Sequence, residues 1–309
     1  MTATAIRPET PAGPRKRPGR GRRAQYRLAP LALAGVSIVL FLVFFVWPGS
    51  LGLIYSFTDY SGLGTPNFIG LDNYEKLFAD PTFYQSLTRT LLFAVFSVPL
   101  MYVMSLSIAS LVVSSYAKGS SIAKVVFFFP WLISPIVAGV VWRWMFGESF
   151  GFVNYVITRL GADPLAWQTD PDLALMVVVI AATWGGTAFN MLIFIAALKN
   201  VPRAYYEAAE IDGANAWQRF RHITLPSIAP TSFLVILLSS LGAMKEFAMV
   251  QALNGGGPGT SNVMLIQYIY ETGFKRADIG YASAVSMILL LILLTIALVQ
   301  MAVNRRRSA

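Results

Sequence analysis

The chain has 309 residues, of which 56% are hydrophobic and only 13% are charged. Soluble domains carry about 25% charged residues, so this composition excludes an ordinary soluble domain and predicts a membrane protein. The absence of cysteine excludes disulfides, thiolate metal ligands and cysteine nucleophiles, and the formal net charge of +9 leaves nucleic acid and anionic lipid as candidate partners.

Six long apolar runs dominate the chain, and each is long enough to cross a bilayer, which takes about 20 mostly apolar residues. They occupy about residues 28–55, 87–115, 122–146, 172–198, 227–250 and 281–303. Because lipid cannot satisfy backbone polar groups, only helices or closed barrels span it, and these runs are much longer than barrel strands. We therefore predict an all-α, polytopic membrane protein with six transmembrane helices in one domain over residues 28–305.

The basic residues favour alternate segments of this topology. Eight of them lie in residues 1–27, and further lysines and arginines follow the second, fourth and sixth predicted helices. Since positive residues stay on the cytoplasmic side, both termini, including a short tail over residues 306–309, are predicted to be cytoplasmic. The arm 1–27 is predicted to be disordered and to touch anionic lipid headgroups. Nucleic-acid binding is disfavoured because no aromatic or groove-reading element accompanies the charge.

Two segments between the apolar runs carry helix or turn signals. The stretch "FIGLDNYEKLFADPTFYQSLTRT", after the first run, predicts a short amphipathic helix at the outer surface. The stretch "ALNGGGPGTSN", before the last run, lacks the lysine of a phosphate-binding loop, so a tight turn is favoured over a phosphate nest. The single histidine, His222, has no acid or nucleophile pattern around it, and we predict no catalytic site and no metal site.

Residues 201–226, between the fourth and fifth runs, form a polar island that contains "EAAEIDGANAWQRFRHITLP". Pro202 suits the first turn of a helix, "AYYEAAEID" favours helix, and Gly213 can adopt the left-handed conformation that ends a helix. A second short helix is predicted over "ANAWQRFRHIT". The pattern predicts a helix–glycine–helix hook that could dock in a groove of a soluble partner, although composition alone also allows a solvated loop of interfacial helices.

The spacing within this island resembles the EAA signature of ABC importer permeases. Glu207-Ala208-Ala209 is followed after three residues by Gly213, after nine more by Ile223, and then by Leu225-Pro226. The stretches "TWGGTAFNMLIFIAALKNVPRAYYEAAEIDGA" and "LNGGGPGTSNVMLIQYIYETGF" resemble the sugar-permease branch of that family, and the likeness covers residues 28–305.

The resemblance implies partners and a location. The protein would lie in the cytoplasmic membrane of a prokaryote, with a second homologous permease subunit, two ATPase subunits and an extracytoplasmic solute-binding protein. ATP and magnesium would be bound by the ATPase subunits, and no cofactor by this chain. The hook would be the coupling helix that docks in a cleft of the ATPase. Glu207 would pair with a basic ATPase residue, Gly213 would set the bend, and the contact would be lined by Tyr206, Ala208, Ala209 and Asp212.

Small and polar residues inside two predicted helices suggest a substrate path. "WGGTAFN", which begins at Trp184, combines a large aromatic, two glycines and an amide, although the glycines could serve only close helix packing. The resemblance to maltose-type permeases implies that sugar-contacting positions fall at Ala182, Gly185, Gly186, Phe189, Ser239, Gly242, Ala243 and Glu246. Lys245 and Glu246 could instead snorkel to the membrane interface.

We therefore predict the permease subunit of an ATP-driven importer for a carbohydrate or related polyol. Glu246 disfavours an anionic substrate, but Lys245 beside it leaves glycerol phosphate or another small solute as an alternative. An ion-coupled secondary transporter with these two residues as a relay would need more buried acids and inverted repeats. An enzyme is not predicted, because the sequence shows no acid–base or metal cluster.

Overall fold

The computed structural model describes residues 33–114 and 119–308. The predicted arm 1–27 and the start of the first apolar run lie outside the described residues, so the disorder of the arm stays a prediction. The chain divides into two units, of which one ends at Leu51 and the other begins at Gly52.

The described part of the first unit is helical and exposes nearly all of its side chains. It belongs to helix α1 (Leu33–Tyr55), which contains a π-helical turn at Leu42–Val46. The second unit is a succession of helices with no β-strand among its described residues. They are α2 (Asp72–Ala79), α3 (Pro81–Val113), α4 (Ser120–Leu132), α5 (Pro135–Met145), α6 (Phe152–Arg159), α7 (Pro171–Lys199), α8 (Arg203–Ile211), α9 (Ala216–Ser227), α10 (Ala229–Ala243), α11 (Ala248–Leu253), α12 (Leu265–Tyr270) and α13 (Ile279–Ser308).

The all-α membrane fold class is confirmed. Within the described ranges, four helices are individually long and apolar enough to cross a membrane, namely α1, α3, α7 and α13. Two bent pairs, α4 with α5 and α9 with α10, each qualify as a further span if the pair is counted as one. The structure therefore gives four to six spans, and the count of six stays a prediction.

The third predicted run, residues 122–146, is not one straight helix. It is divided into α4 and α5, whose axes differ by 97°. Pro130 lies near the end of α4, and Pro135 opens α5 after the extended residues Ile133 and Ser134. Proline removes a backbone donor and disfavours the helical region for the preceding residue, so the two prolines favour a break here.

The fifth predicted run is also interrupted. A bend of 70° separates α9 from α10 at Ile228, between Pro226 and Pro230. The helix then ends at Ala243, and a short break precedes α11. The predicted hook is confirmed as two helices, and its second helix continues through a π-helical turn to the start of the bend.

Helix α7 is the central element of the second unit. In its most hydrophobic window 61% of the residues are buried, against 28% for α3 and 22% for α13. It is apolar on all sides, as expected for a helix surrounded by other elements, and it packs against α3, α4, α5 and α10. Val178, Met191 and Phe194 are completely buried. Residues that α7 presents to a cavity are therefore held on a well-packed scaffold.

Candidate functional site

A cavity of about 670 Å³ opens beside α7. Its walls come from α3, the break between α4 and α5, α7, α10 and the segment that follows α10. All nine residues predicted for the substrate path line it: Ala182, Trp184, Gly185, Gly186, Phe189, Ser239, Gly242, Ala243 and Glu246. The structure thus brings together positions that lie more than fifty residues apart in the chain.

The two adjacent glycines of α7 differ in what surrounds them. A Cβ atom built on Gly185 would meet no atom within 4 Å, so this position exposes backbone to open space. A Cβ atom on Gly186 would lie 2.7 Å from the Met101 sulfur of α3. Gly185 therefore keeps the cavity wide, whereas Gly186 lets α3 approach α7 closely. The glycine pair thus serves both the predicted substrate path and close helix packing.

Aromatic and amide groups form the other walls. The Trp131 ring, at the end of α4, stacks on the Phe189 ring with centroids 4.8 Å apart. Asn190 Nδ2 donates a hydrogen bond of 2.9 Å to Ser239 Oγ, which ties α7 to α10. Trp131 is not among the predicted site residues, because the sequence predicts residues 122–146 as one continuous transmembrane helix. Pro130 and Pro135 were the signals that could have revealed the break that carries it.

Glu246 lies beyond the end of α10 and is half-buried. Its Oε1 accepts a hydrogen bond of 3.3 Å from the backbone N–H of Met249. Its neighbour Lys245 is exposed and is not part of the cavity wall. The two adjacent charged residues therefore face different surroundings.

The turn of the hook is formed by a glycine and by hydrogen bonds between residues close in sequence. Gly213 has a φ of +76°, in the left-handed region, and ends α8 as predicted. The N–H of Ala214 then donates to the carbonyl of Ala209 over 2.9 Å. Asn215 caps α9 by accepting from the N–H of Gln218, whose own side chain accepts from the Asn215 N–H. This reciprocal cap and the glycine together determine the angle between the two helices.

Two side-chain contacts join the arms of the hook. Tyr206 and Thr224 share a hydrogen bond of 2.9 Å between their hydroxyl groups, and Glu210 forms an ion pair with Arg219. Tyr206 is therefore half-buried inside the hook, while its neighbour Tyr205 is exposed.

The remaining surface of the hook is open to a partner. Glu207, Ala208, Asp212 and Gly213 are exposed, and Ala209 is half-buried. Ile211 exposes 88% and Trp217 exposes 64% of the whole residue surface, which is unusual for such apolar residues.

The glycine-rich segment before α12 forms a turn, as predicted. Gly255, Gly256 and Gly259 have positive φ angles, which glycine adopts at little cost. The side chain of Asn254 accepts a hydrogen bond from the Gly256 N–H over 3.1 Å and closes the turn. The predicted helix before the second run is present as α2, although its second half belongs to α3.

Long apolar helices around a cavity, with an exposed polar hook between two of them, define a multi-pass membrane transport protein. Residues 77–308 match the family described as binding-protein-dependent transport system inner membrane component. The chain belongs to this family, in its sugar-type importer branch, and the resemblance noted from the EAA spacing is confirmed.

Several relatives share nearly the whole chain. The arabinooligosaccharides transport system permease protein of Bacillus subtilis is 34% identical, with 89% of this chain and 88% of that protein covered. The sn-glycerol-3-phosphate transport system permease protein of Agrobacterium fabrum is 31% identical, with 87% and 92% covered. The diacetylchitobiose uptake system permease protein of Streptomyces coelicolor is also 31% identical, with 98% and 90% covered.

A solved structure supports the same fold. A chain of a bacterial ABC transporter involved in the import of the acidic polysaccharide alginate superposes with a TM-score of 0.82 at 24% identity. The match covers 93% of this chain and 98% of that one.

Proposed function

We propose that this chain is the permease subunit of an ATP-driven importer that carries a carbohydrate or related polyol across the cytoplasmic membrane by alternating access. The observation that carries the proposal is the convergence of all nine predicted path residues on one cavity. Two aromatic rings, Trp131 and Phe189, offer apolar faces for sugar C–H groups, and Asn190, Ser239 and Glu246 offer hydrogen-bonding groups for hydroxyls.

The energy for transport would enter through the hook. Two ATPase subunits, which bind ATP and magnesium themselves, would each take one coupling helix in a cleft. Exposed Glu207 would pair with a basic ATPase residue, Gly213 would hold the bend, and Ala208, Ala209 and Asp212 would line the contact. Tyr206 would stabilise the hook by joining α8 to α9 through its hydrogen bond with Thr224. Exposed Tyr205 and Ile211 would add apolar contacts with the ATPase.

The remaining partners follow from the family. A second homologous permease subunit would complete the translocation path, and an extracytoplasmic solute-binding protein would deliver the solute. The hook and both chain termini would lie on the cytoplasmic side, which the distribution of basic residues supports. The boundaries of the transmembrane domain at residues 28 and 305 belong to the same proposal.

Glycerol phosphate is the second candidate substrate, because a relative at 31% identity is named for it. A proton-coupled mechanism is disfavoured, since exposed Lys245 does not share the cavity with Glu246 and so does not form a relay with it.

The test is a pull-down of the tagged chain from its own membranes in mild detergent, with partners identified by mass spectrometry. We expect a second permease, an ATPase and a solute-binding protein. Recovery of this chain alone, with solute uptake that continues after reconstitution and collapses with the proton gradient, would overturn the proposal.

A further inference from the structure

We propose that Glu246 makes the cavity selective against anionic solutes, so that the transported solute is a neutral or amino-bearing carbohydrate rather than a phosphorylated or acidic one. This inference rests on the proposed function, because it takes the cavity to be the translocation path. It decides between the two substrate classes that the sequence alone left open.

The cavity wall carries a single ionisable group among its described residues, which is Glu246. The other polar side chains of the wall are Asn190, Ser239 and the indoles of Trp131 and Trp184, which are all neutral. No lysine or arginine of the described wall could bind a phosphate or a uronate, and such anions are usually held by these cations.

No described basic residue forms an ion pair with the Glu246 carboxylate. Its recorded hydrogen bonds come from neutral backbone N–H groups, those of Met249 and Phe247. Lys245, which could have cancelled it, is exposed outside the cavity wall.

Apolar side chains surround this carboxyl group in the cavity. The cavity surface is mostly apolar, with Met101, Phe189 and Trp131 among its walls, so electrostatic interactions inside it are stronger than in bulk water. A carboxylate there repels a phosphate or another carboxylate. Toward a neutral sugar it accepts hydrogen bonds from hydroxyl groups, and toward an amino sugar it attracts a positive charge.

The absence of cysteine from this chain allows a test that does not need the natural solute. Gly242 lines the cavity four residues before Glu246, and a Cβ atom there would meet no atom within 4 Å. In the complete importer, the Gly242→Cys chain would be treated with cationic trimethylammonioethyl or anionic sulfonatoethyl methanethiosulfonate. The labelling rate would be read from the mass of this chain and divided by the rate for free cysteine.

We expect the cationic reagent to react about tenfold faster than the anionic one after this correction, which is the size expected for one charge roughly 5–10 Å away. Adding Glu246→Gln should bring the ratio close to one. Lys245→Gln should leave it unchanged, because Lys245 lies outside the cavity wall. Glu75→Gln is the matched control, because Glu75 is an exposed glutamate on α2, outside both the cavity wall and the hook.

The proposal is overturned if the two reagents react equally in the presence of Glu246, since this readout needs no substitution of Glu246 itself. It is equally overturned if Lys245→Gln shifts the ratio as much as Glu246→Gln does. Gly185→Cys, on α7, provides a second probe position, because a Cβ atom there also meets no atom within 4 Å. Absence of labelling at both positions would mean that the cavity does not admit solutes.

Recovery of the partner subunits from the same preparations tests the importer function independently of the charge selectivity of Glu246. If the ATPase and the second permease co-purify but the charge preference is missing, the selectivity of Glu246 is wrong while the importer assignment stands. If the partners are missing, the proposed function itself fails.

Discussion

At the residue scale, Asp80 joins three helices through one carboxylate. It caps the N-terminus of α3 by accepting from the Thr82 N–H over 2.8 Å, and it accepts hydrogen bonds from the hydroxyls of Tyr268 on α12 and Tyr281 on α13. Burial alone would raise the pKa of Asp80, but these hydrogen bonds outweigh it and hold the pKa below its usual value. Burial and the nearby Asp80 in turn raise the pKa of Tyr268 to about 12.

We expect Asp80→Asn to lower the free energy of unfolding by about 1–3 kcal/mol at neutral pH, because buried hydroxyl donors lose a charged acceptor. Since the pKa in the folded state is depressed, the carboxylate stabilises the fold above the unfolded value of about 4, and this stabilisation is lost as the pH falls through the folded pKa. The difference in melting temperature between wild type and variant, measured in detergent, should therefore narrow below about pH 4. Exposed Asp163→Asn is the control, and a difference independent of pH would contradict this account.

At the element scale, substitutions at the two adjacent glycines of α7 should affect different properties, solute transport at Gly185 and helix packing at Gly186. Gly185→Leu places a side chain in open cavity space, so we expect solute uptake into proteoliposomes to fall at least ~10-fold with little change in melting temperature. Gly186→Leu places it against Met101 and should cost about 1–3 kcal/mol of stability through overpacking. Equal melting temperatures for the two variants would show that α3 does not depend on the approach at Gly186.

The bend of the hook is a second property of an element. Gly213→Ala forces a side chain into the left-handed region, which costs about 1–2 kcal/mol, and should reduce recovery of the ATPase with the tagged chain. Gly161→Ala is a matched control, because Gly161 also has a positive φ of 85° and free space around its Cβ position. It should cost similar stability without loss of the ATPase. Equal loss with both variants would assign the effect to general destabilisation.

At the scale of the whole molecule, the proposed coupling depends on charges that the hook leaves free. Glu207 is exposed and has no ion-pair partner among the described residues, whereas Glu210 is paired with Arg219. Glu207→Lys should keep the chain in the membrane but reduce ATPase co-purification at least ~10-fold, since like charges would face each other across the interface.

Glu210→Gln serves as the control for that reversal. It breaks a mostly exposed pair worth less than about 1 kcal/mol and should keep the ATPase bound. Normal recovery of the ATPase with Glu207→Lys would contradict the proposed pairing of Glu207 with a basic ATPase residue.

The limits of prediction from sequence appear at the third apolar run. The length of the apolar run places residues 122–146 in the membrane region, but it does not show where the helix axis changes direction. The sequence therefore predicts one helix that includes Pro130 and Pro135. The structure turns the chain by 97° there and brings Trp131 against Phe189. A proline can be tolerated inside a membrane helix when neighbours satisfy the freed backbone groups, so the break depends on packing that a local pattern does not contain.

The sequence by itself determined the features that depend on local chemistry. Apolar runs require helices in lipid, Gly213 and Asn215 direct the turn of the hook, and the EAA spacing identifies the family because each element is read at a fixed offset along the chain. Only the tertiary structure decided which side of each helix faces the cavity. It separated Lys245 from Glu246, placed Tyr206 inside the hook and joined Asn190 to Ser239, because these relations depend on helix rotation and on contacts between distant segments.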